Sequence, residues 1–279
     1  MNKIMEKGNK MNSIIQWLKN YKLIWNLSKN DFTTRYAGSY LGVFWAFVQP
    51  MVIVLMYVFV FQVAFHADAK AGGYPYVLWL ISGIVPWFFF SEAIPTASNC
   101  FLEYSYLVKK VVFPISILPI VKIVSAFFVH AFFVVFSFAI YALMGKVPGI
   151  YFVQMLYYLL CIIALITALS FFTSSIVPFF KDFAPIINII MQIGMWATPI
   201  LWDVNDVFSP ENDLGWLIYV FKANPMYYIV QGYRDSYMNR AWFWQHPGIT
   251  AYFWIFTITV GVFGYKSFKK MKPHFADVL

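Results

Sequence analysis

Charge is scarce in this chain of 279 residues: Asp, Glu, Lys and Arg together make up 11%, where a soluble domain typically carries about 25%. Apolar residues reach 61% and aromatics 22%. No soluble core of this length can hide so much apolar surface behind a polar shell, so the shortage of charge excludes a soluble domain. Cysteine is nearly absent. Cys100 and Cys161 fall at different depths of the apolar pattern, which predicts two free thiols and no disulfide framework. Strict apolar/polar alternation is missing, and that excludes a membrane barrel. No internal repeat, low-complexity tract or cleavable leader is visible, since the first forty residues are polar. HExxH, CxxC and paired-carboxylate patterns are also missing, so no metal site is expected. The nearest approach to a Walker A motif, Gly261 to Ser267, has the wrong spacing and lies in an apolar run.

What the chain does have is a series of long apolar runs, at about 41–65, 77–97, 118–144, 151–178, 183–202 and 249–268. Each reaches the roughly 20 residues that a helix needs to cross a hydrocarbon core of about 30 Å. The pattern predicts an all-α polytopic membrane protein with six transmembrane helices. Pro50, Pro86, Pro95, Pro119, Pro178 and Pro199 lie inside these runs, where neighbouring helices can satisfy the freed carbonyls.

Lys and Arg set the expected orientation. Fourteen fall on one side: Lys3, Lys7, Lys10, Lys19, Lys22, Lys29, Arg35, Lys109, Lys110, Lys181, Lys266, Lys269, Lys270 and Lys272. Five fall on the other: Lys70, Lys146, Lys222, Arg234 and Arg240. The positive-inside rule then places both termini in the cytoplasm. The net charge of +8 reflects this bias toward anionic lipid, and nothing in it points to nucleic acid. The expected organisation is a cytoplasmic N-terminal region (1–40), one membrane domain (41–268) and a cytoplasmic tail (269–279).

Two segments are helical by pattern but too short or too polar to span. In residues 12–30, Ile14, Leu18, Tyr21 and Trp25 share one stripe, flanked by Trp17 and Ile24. Lys19, Lys22, Asn26 and Lys29 share another, with Ile15 as the exception. Such a helix lies in the membrane interface or packs on a soluble partner. In the outer link 203–248, residues 214–238 hold two short apolar stretches broken at Asn224-Pro225, which reads as a re-entrant or interfacial hairpin.

Ionisable residues inside apolar spans are functional candidates. Glu92 and Lys122 lie at matching depths on successive spans, which suggests an inter-helix ion pair, structural or in transport. His130, among Phe127, Phe128, Phe132 and Phe133, reads as an interior histidine or a proton relay. Aromatics also run deep into the spans, among them Trp45, Phe47, Tyr57, Phe59, Phe61, Phe88, Phe89, Phe90 and Trp196. Flat faces with polar rims suit a sugar polymer that slides past, while lipid-facing packing explains any one of them equally well. Trp45, Phe59, Phe88, Phe89 and Trp196, with Tyr228 and Tyr233 of the outer link, are the channel-lining candidates.

The link at 99–113 is amphipathic, charged and closed by Pro114. A helix there offers Glu103, Tyr104, Tyr106, Leu107, Val108, Lys109 and Lys110 as a docking element for a cytosolic partner.

The stretch "EYSYLVKKVVFPISILP" (103–119) resembles the coupling-helix region of ABC-type polysaccharide export permeases. "RYAGSYLGVFWAFVQP" (35–50) is similar to their approach to the first span, and "NPMYYIVQGYRDSYM" (224–238) to their extracellular re-entrant region. Six spans, cytoplasmic termini and motif order agree over essentially the whole chain. Within the family the first two motifs look most similar to wall teichoic acid translocation permeases, and O-antigen and capsule permeases share the general pattern.

The resemblance implies a bacterial plasma-membrane half-transporter without a nucleotide-binding motif of its own. It would form a homodimer, and each copy would dock a separate ABC ATPase subunit that binds ATP and Mg. A lipid-linked polymer would load from the cytoplasmic leaflet beside the interfacial helix and pass between the two copies. Candidate loading residues are Arg35, Tyr36, Gly38, Tyr40, Leu41 and Gly42. The tyrosines would stack on sugar, and Arg35 would pair with either a substrate phosphate or a lipid phosphate. A secondary transporter should instead show inverted repeats, and a membrane-embedded glycan transferase a convergent acid/base or metal constellation.

Overall fold

The computed structural model describes residues 20–66, 73–109, 113–208, 214–238 and 240–279. The expected interfacial helix at 12–30 therefore lies partly outside the described residues, as does Lys110.

Among the described residues, nine α-helices of six residues or more carry the architecture. They are α1 (Tyr21–Arg35), α2 (Trp45–Val58), α3 (Tyr76–Ser98), α4 (Leu118–Leu143), α5 (Met155–Ile176), α6 (Phe183–Ala197), α7 (Leu217–Lys222), α8 (Pro225–Met238) and α9 (Pro247–Met271). A π-helical turn, Phe59–Ala64, prolongs α2. No β-strand occurs among the described residues. Among the described residues, five helical stretches are long and apolar enough to cross a membrane: Gly42–Ala64, Tyr76–Ser98, Ile115–Leu143, Ile150–Ile176 and Pro247–Val278. The expected span at 183–202 differs. Its helix α6 has only 15 residues, about 22 Å at 1.5 Å per residue. It ends at Thr198, whose extended backbone (ψ 125°) precedes Pro199.

Helix α3 is the axis of the bundle. The share of its apolar window that is buried is 78%, against 11% for the stretch containing α2. It packs on α4, α5, α8 and α6, while α9 lies along α5. The α5–α9 contact uses small residues, as membrane helices do when no water drives them together. At Gly264 an added Cβ would sit 2.8 Å from the backbone oxygen of Ala168 and 3.0 Å from the amide nitrogen of Phe172.

Sequence reasoning anticipated the break at Asn224-Pro225, and its geometry explains why it falls there. Asn224 Oδ1 accepts from the Met226 amide at 3.0 Å, and its Nδ2 donates to Thr198 Oγ1 at 2.8 Å. Pro225 occupies the first helical position, where a missing N–H costs nothing. Helix α8 is then buried along nearly its whole length. Arg234 anchors it from the side, 2% exposed. Its guanidinium lies 3.6 Å from the Trp79 ring centroid and donates to the Ile200 carbonyl at 3.0 Å. The residues at 269–279 do not form a free tail. Met271 ends α9, and Phe275, fully buried, packs on Phe101 and Phe268.

Replacing Gly264 with Val should force α5 and α9 apart, at a cost of about 1–3 kcal/mol. A lower thermal-unfolding midpoint of the detergent-purified protein, with Ala168→Gly partly restoring it, is the expected result.

Candidate functional site

At the end of the bundle where α3 closes and α4 opens, α1 lies across the helices with a polar face inward. Ser28 and Asp31 are its buried residues. Ser28 Oγ donates to the Ile24 carbonyl on its own helix and to the Val121 carbonyl on α4, at 2.8 and 3.0 Å. Tyr21 and Trp25, from the expected apolar stripe, remain exposed, and Trp25 meets Phe128 edge-on. The helix is held to the bundle by these polar contacts and by Trp25 and Phe32 against Phe128.

Asp31 is the hub. Its Oδ1 accepts from Lys122 Nζ at 2.6 Å and from the Tyr104 hydroxyl at 2.7 Å, and its Oδ2 accepts from Arg35 Nη2 at 3.2 Å. Arg35 also donates to Glu92 on α3 and to Ser125 on α4, and Lys122 also donates to Glu103. Lys122 lies 5.0 Å from the Tyr104 ring centroid as well. The expected Glu92–Lys122 pair is thus replaced by three others, Glu92–Arg35, Lys122–Asp31 and Lys122–Glu103. Both residues are ion-paired, but with partners from α1 and the link rather than with each other. The missed residue is Asp31. Its sequence signal was the i,i+4 spacing to Arg35 on an otherwise acid-free helix.

Burial alone pushes the Asp31 carboxyl up. Hydrogen bonds from Lys122 and Tyr104 and the Lys122 charge outweigh it, leaving the group below its ordinary value of 3.8. Burial pushes Tyr104 up strongly, and its bond to Asp31 adds to the shift. Burial also acts to lower Arg35, but Glu92 and Asp31 raise it overall. A polar hollow of about 450 Å³ opens beside this cluster, bordered by Asn30, Thr34, Thr96 and Tyr106.

The link 99–109 is two single helical turns, Cys100–Glu103 and Ser105–Val108, rather than one continuous helix. Of the expected docking residues, Glu103 and Tyr104 face the charged cluster. Val108 is buried with Phe101, Phe268 and Phe275, and Leu107 packs against the same group. Tyr106, 59% exposed, and Lys109 remain free for another surface. The approach to α2 is open in the same way. Tyr40 and Leu41 are exposed, while Tyr36 packs on Phe32. Gly38 and Gly42 have φ of 89° and 51°, a region in which other residues are strained.

The seven aromatic channel candidates divide by exposure. Trp45, Phe59 and Trp196 are exposed. Phe89, Tyr228 and Tyr233 are buried in the core and Phe88 packs against it. Helix packing separates the two groups, which hydropathy alone cannot do. His130 is interior: its Nε2 bonds the Tyr233 hydroxyl at 3.0 Å, Phe89 stacks on its ring, and its Nδ1 is buried without a partner. Cys100 and Cys161 are free and buried.

The profile of the family described as "ABC-2 type transporter" matches residues 22–238. Two proteins of Klebsiella pneumoniae named O-antigen export system permease protein RfbA are 23% and 24% identical over 262 residues, each match covering 93% of this chain and 95% of the relative. A protein of the same name from Myxococcus xanthus is 24% identical over 195 residues, covering 70% of this chain and 74% of the relative.

Removing Asp31 alone would leave the buried Lys122 ammonium with Glu103 as its one carboxylate, so Asp31→Ala should destabilise by about 2–3 kcal/mol. Asp31→Ala combined with Lys122→Met should recover much of that loss in the same thermal-unfolding assay. Because folded Asp31 ionises below its ordinary 3.8, its contribution is present above that pH and is lost as the pH falls through the lowered value.

Proposed function

The chain belongs to the ABC-2 type transporter family, and from that premise we propose that it is the membrane subunit of an ATP-driven polysaccharide exporter. The names of its relatives favour a glycan of the O-antigen class over the wall teichoic acid suggested by the motif resemblance. The proposed cargo is a lipid-linked polymer, carried from the cytoplasmic to the outer face of the bacterial plasma membrane.

One observation carries this reading. The exposed stripes of α2 and α6 are not purely apolar. Gln49 on α2, with Asn188 and Gln192 on α6, is exposed, and none of the three side chains has a hydrogen-bond partner among the described residues. In lipid an unpaired amide costs several kcal/mol. A stripe in which such amides alternate with Trp45, Phe59 and Trp196 suits a hydroxyl-rich chain better than acyl tails. The aromatic faces supply sliding contact, and the amides supply exchangeable hydrogen bonds.

In this reading two copies of the chain face one another across these stripes, and α6 with residues 198–202 makes a sixth crossing. Both termini are cytoplasmic, and α8 re-enters the membrane from outside. Tyr106 and Lys109 meet the separate ATPase, which holds ATP and Mg. The loop 36–42 admits the lipid-linked end through exposed Tyr40 and Leu41. Arg35, with Glu92 and Asp31 on its guanidinium, orients α1 and is a poorer candidate for phosphate.

The test replaces Asn188 and Gln192 together with Leu. Leucine suits lipid, so membrane insertion and thermal stability should hold, while export falls at least about tenfold, a loss of about 1.4 kcal/mol in the step. Complementation of hosts deficient in O-antigen export and in wall teichoic acid export reads both the loss and the cargo class. Normal export by the double variant rejects the α6 stripe as the polymer path. Tyr106→Asp should leave the fold intact and detach the ATPase on co-purification.

A further inference from the structure

At the end of the bundle opposite Asp31, α8 forms one wall of a hollow of about 300 Å³, at the lower end of the range of small-ligand sites. Tyr227, Tyr228, Gln231 and Asp235 recur along one face of α8 at helical spacing. Tyr158 of α5 closes the floor. Its ring fits only because residue 232 is glycine, where an added Cβ would meet it at 2.0 Å. The opposite rim is a chain of polar contacts. Asp203 Oδ1 accepts from the Asn205 amide and side chain at 2.9 and 3.1 Å, and Lys222 Nζ donates to Asn205 Oδ1 at 3.3 Å.

Two features point to a ligand. The first is Asp235, only 6% exposed. Its one side-chain hydrogen bond among the described residues comes from Gln231 Nε2, at 3.2 Å to Oδ1, and no described cation lies within ion-pair distance of it. Burial pushes this carboxyl up, to about 6. A buried carboxyl facing open space needs hydroxyl or water partners. The second is charge balance. Among the described lining residues Asp203 and Asp235 are matched by Lys222 and Arg240, which gives this lining no net sign with which to select an ion. Paired donors and acceptors between tyrosine faces match a neutral polyol.

We propose that this hollow is a binding site for one uncharged sugar unit. Asp235 and Gln231 hold hydroxyls from the α8 side, Asp203 and Lys222 hold them from the rim, and Tyr158 and Tyr227 flank the ring. The assignment deepens the export reading, because the hollow opens at the proposed outer face. The sugar is either a unit of the emerging polymer or one from glycan already outside.

The test uses the full chain in lipid nanodiscs with glucose, galactose, mannose, rhamnose and N-acetylglucosamine, each at millimolar concentration, read by saturation-transfer NMR. Glucuronate and glucosamine are the charged controls. At least one neutral sugar should bind, with neither charged control binding more tightly. Gln231→Leu and Lys222→Ala should each weaken that binding about tenfold, and the exposed rim position keeps the second variant folded. Absence of binding by every neutral sugar, tighter binding of a charged control, or unchanged binding by both variants overturns the site. Binding requires no export, so the site and the transport reading fail separately. Export by the same variants then identifies the source: impaired export together with lost binding assigns the sugar to the polymer, and normal export with lost binding assigns it to external glycan. In both cases the site is upheld.

Discussion

A carboxylate excluded from water has to find its full complement of partners nearby, because an unpaired charge in a medium of low dielectric costs far more than any single contact returns. Asp31 meets this condition by drawing on its own helix and on two other segments. Lys122 comes from α4, Tyr104 from the link and Arg35 from its own helix. Arg35 then reaches Glu92 on α3, and Lys122 reaches Glu103. Removing α4 or the link takes a partner from buried Asp31, and removing α3 takes one from half-buried Arg35. The position of α1 on the bundle, the fold of the link into two turns and the register of α3 against α4 therefore follow from one requirement. Among the described residues of the link, Tyr106 and Lys109 are exposed and outside this network.

The spans were legible because hydropathy integrates over twenty residues, and five of them are long, apolar helices. The sixth apolar run was visible, but its helix was not. Prolines at 185 and 199 bracket most of it, and the chain leaves helical geometry at Thr198. The break at Asn224-Pro225 was legible because cap and proline are local signals. That Glu92 and Lys122 each need an ionic partner was legible from their place in apolar runs. Partner choice was not, because it depends on how α1 lies across the bundle. No periodicity in α1 reports that angle. The same limit applies to the aromatics. Phe59 and Phe89 sit in equally apolar surroundings in sequence, yet one is exposed and the other is 1% exposed, a distinction made by α3 being enclosed and α2 being peripheral.

Exposure has a different meaning in a chain of this class. An exposed leucine needs no explanation where lipid replaces water, so apolar surface cannot by itself mark a working face. Polar groups carry the information. Gln49, Asn188 and Gln192 stand out because lipid offers an amide nothing, and Asp235 because its surroundings supply only one hydrogen bond. Neither signal depends on hydropathy, which rates these positions as interruptions of otherwise uniform runs.

Both ends of the molecule are joined through α3. Near its start, Trp79 and Gly83 receive the Arg234 guanidinium and so seat α8: the ring lies under it, and an added Cβ at Gly83 would come within 3.0 Å of it. Two turns further on, Glu92 takes Arg35 and thereby ties α3 to α1 and the link. Between the two contacts lies Pro86, which deletes one backbone hydrogen bond and clashes with the carbonyl four residues earlier. Bends in long helices concentrate at such points. Both halves of α3 nonetheless lie in one buried core. Helices α5 and α9 run the same distance beside it: Phe171 and Phe268 pack with the link, and Tyr158 and Ile249 line the hollow of Asp235.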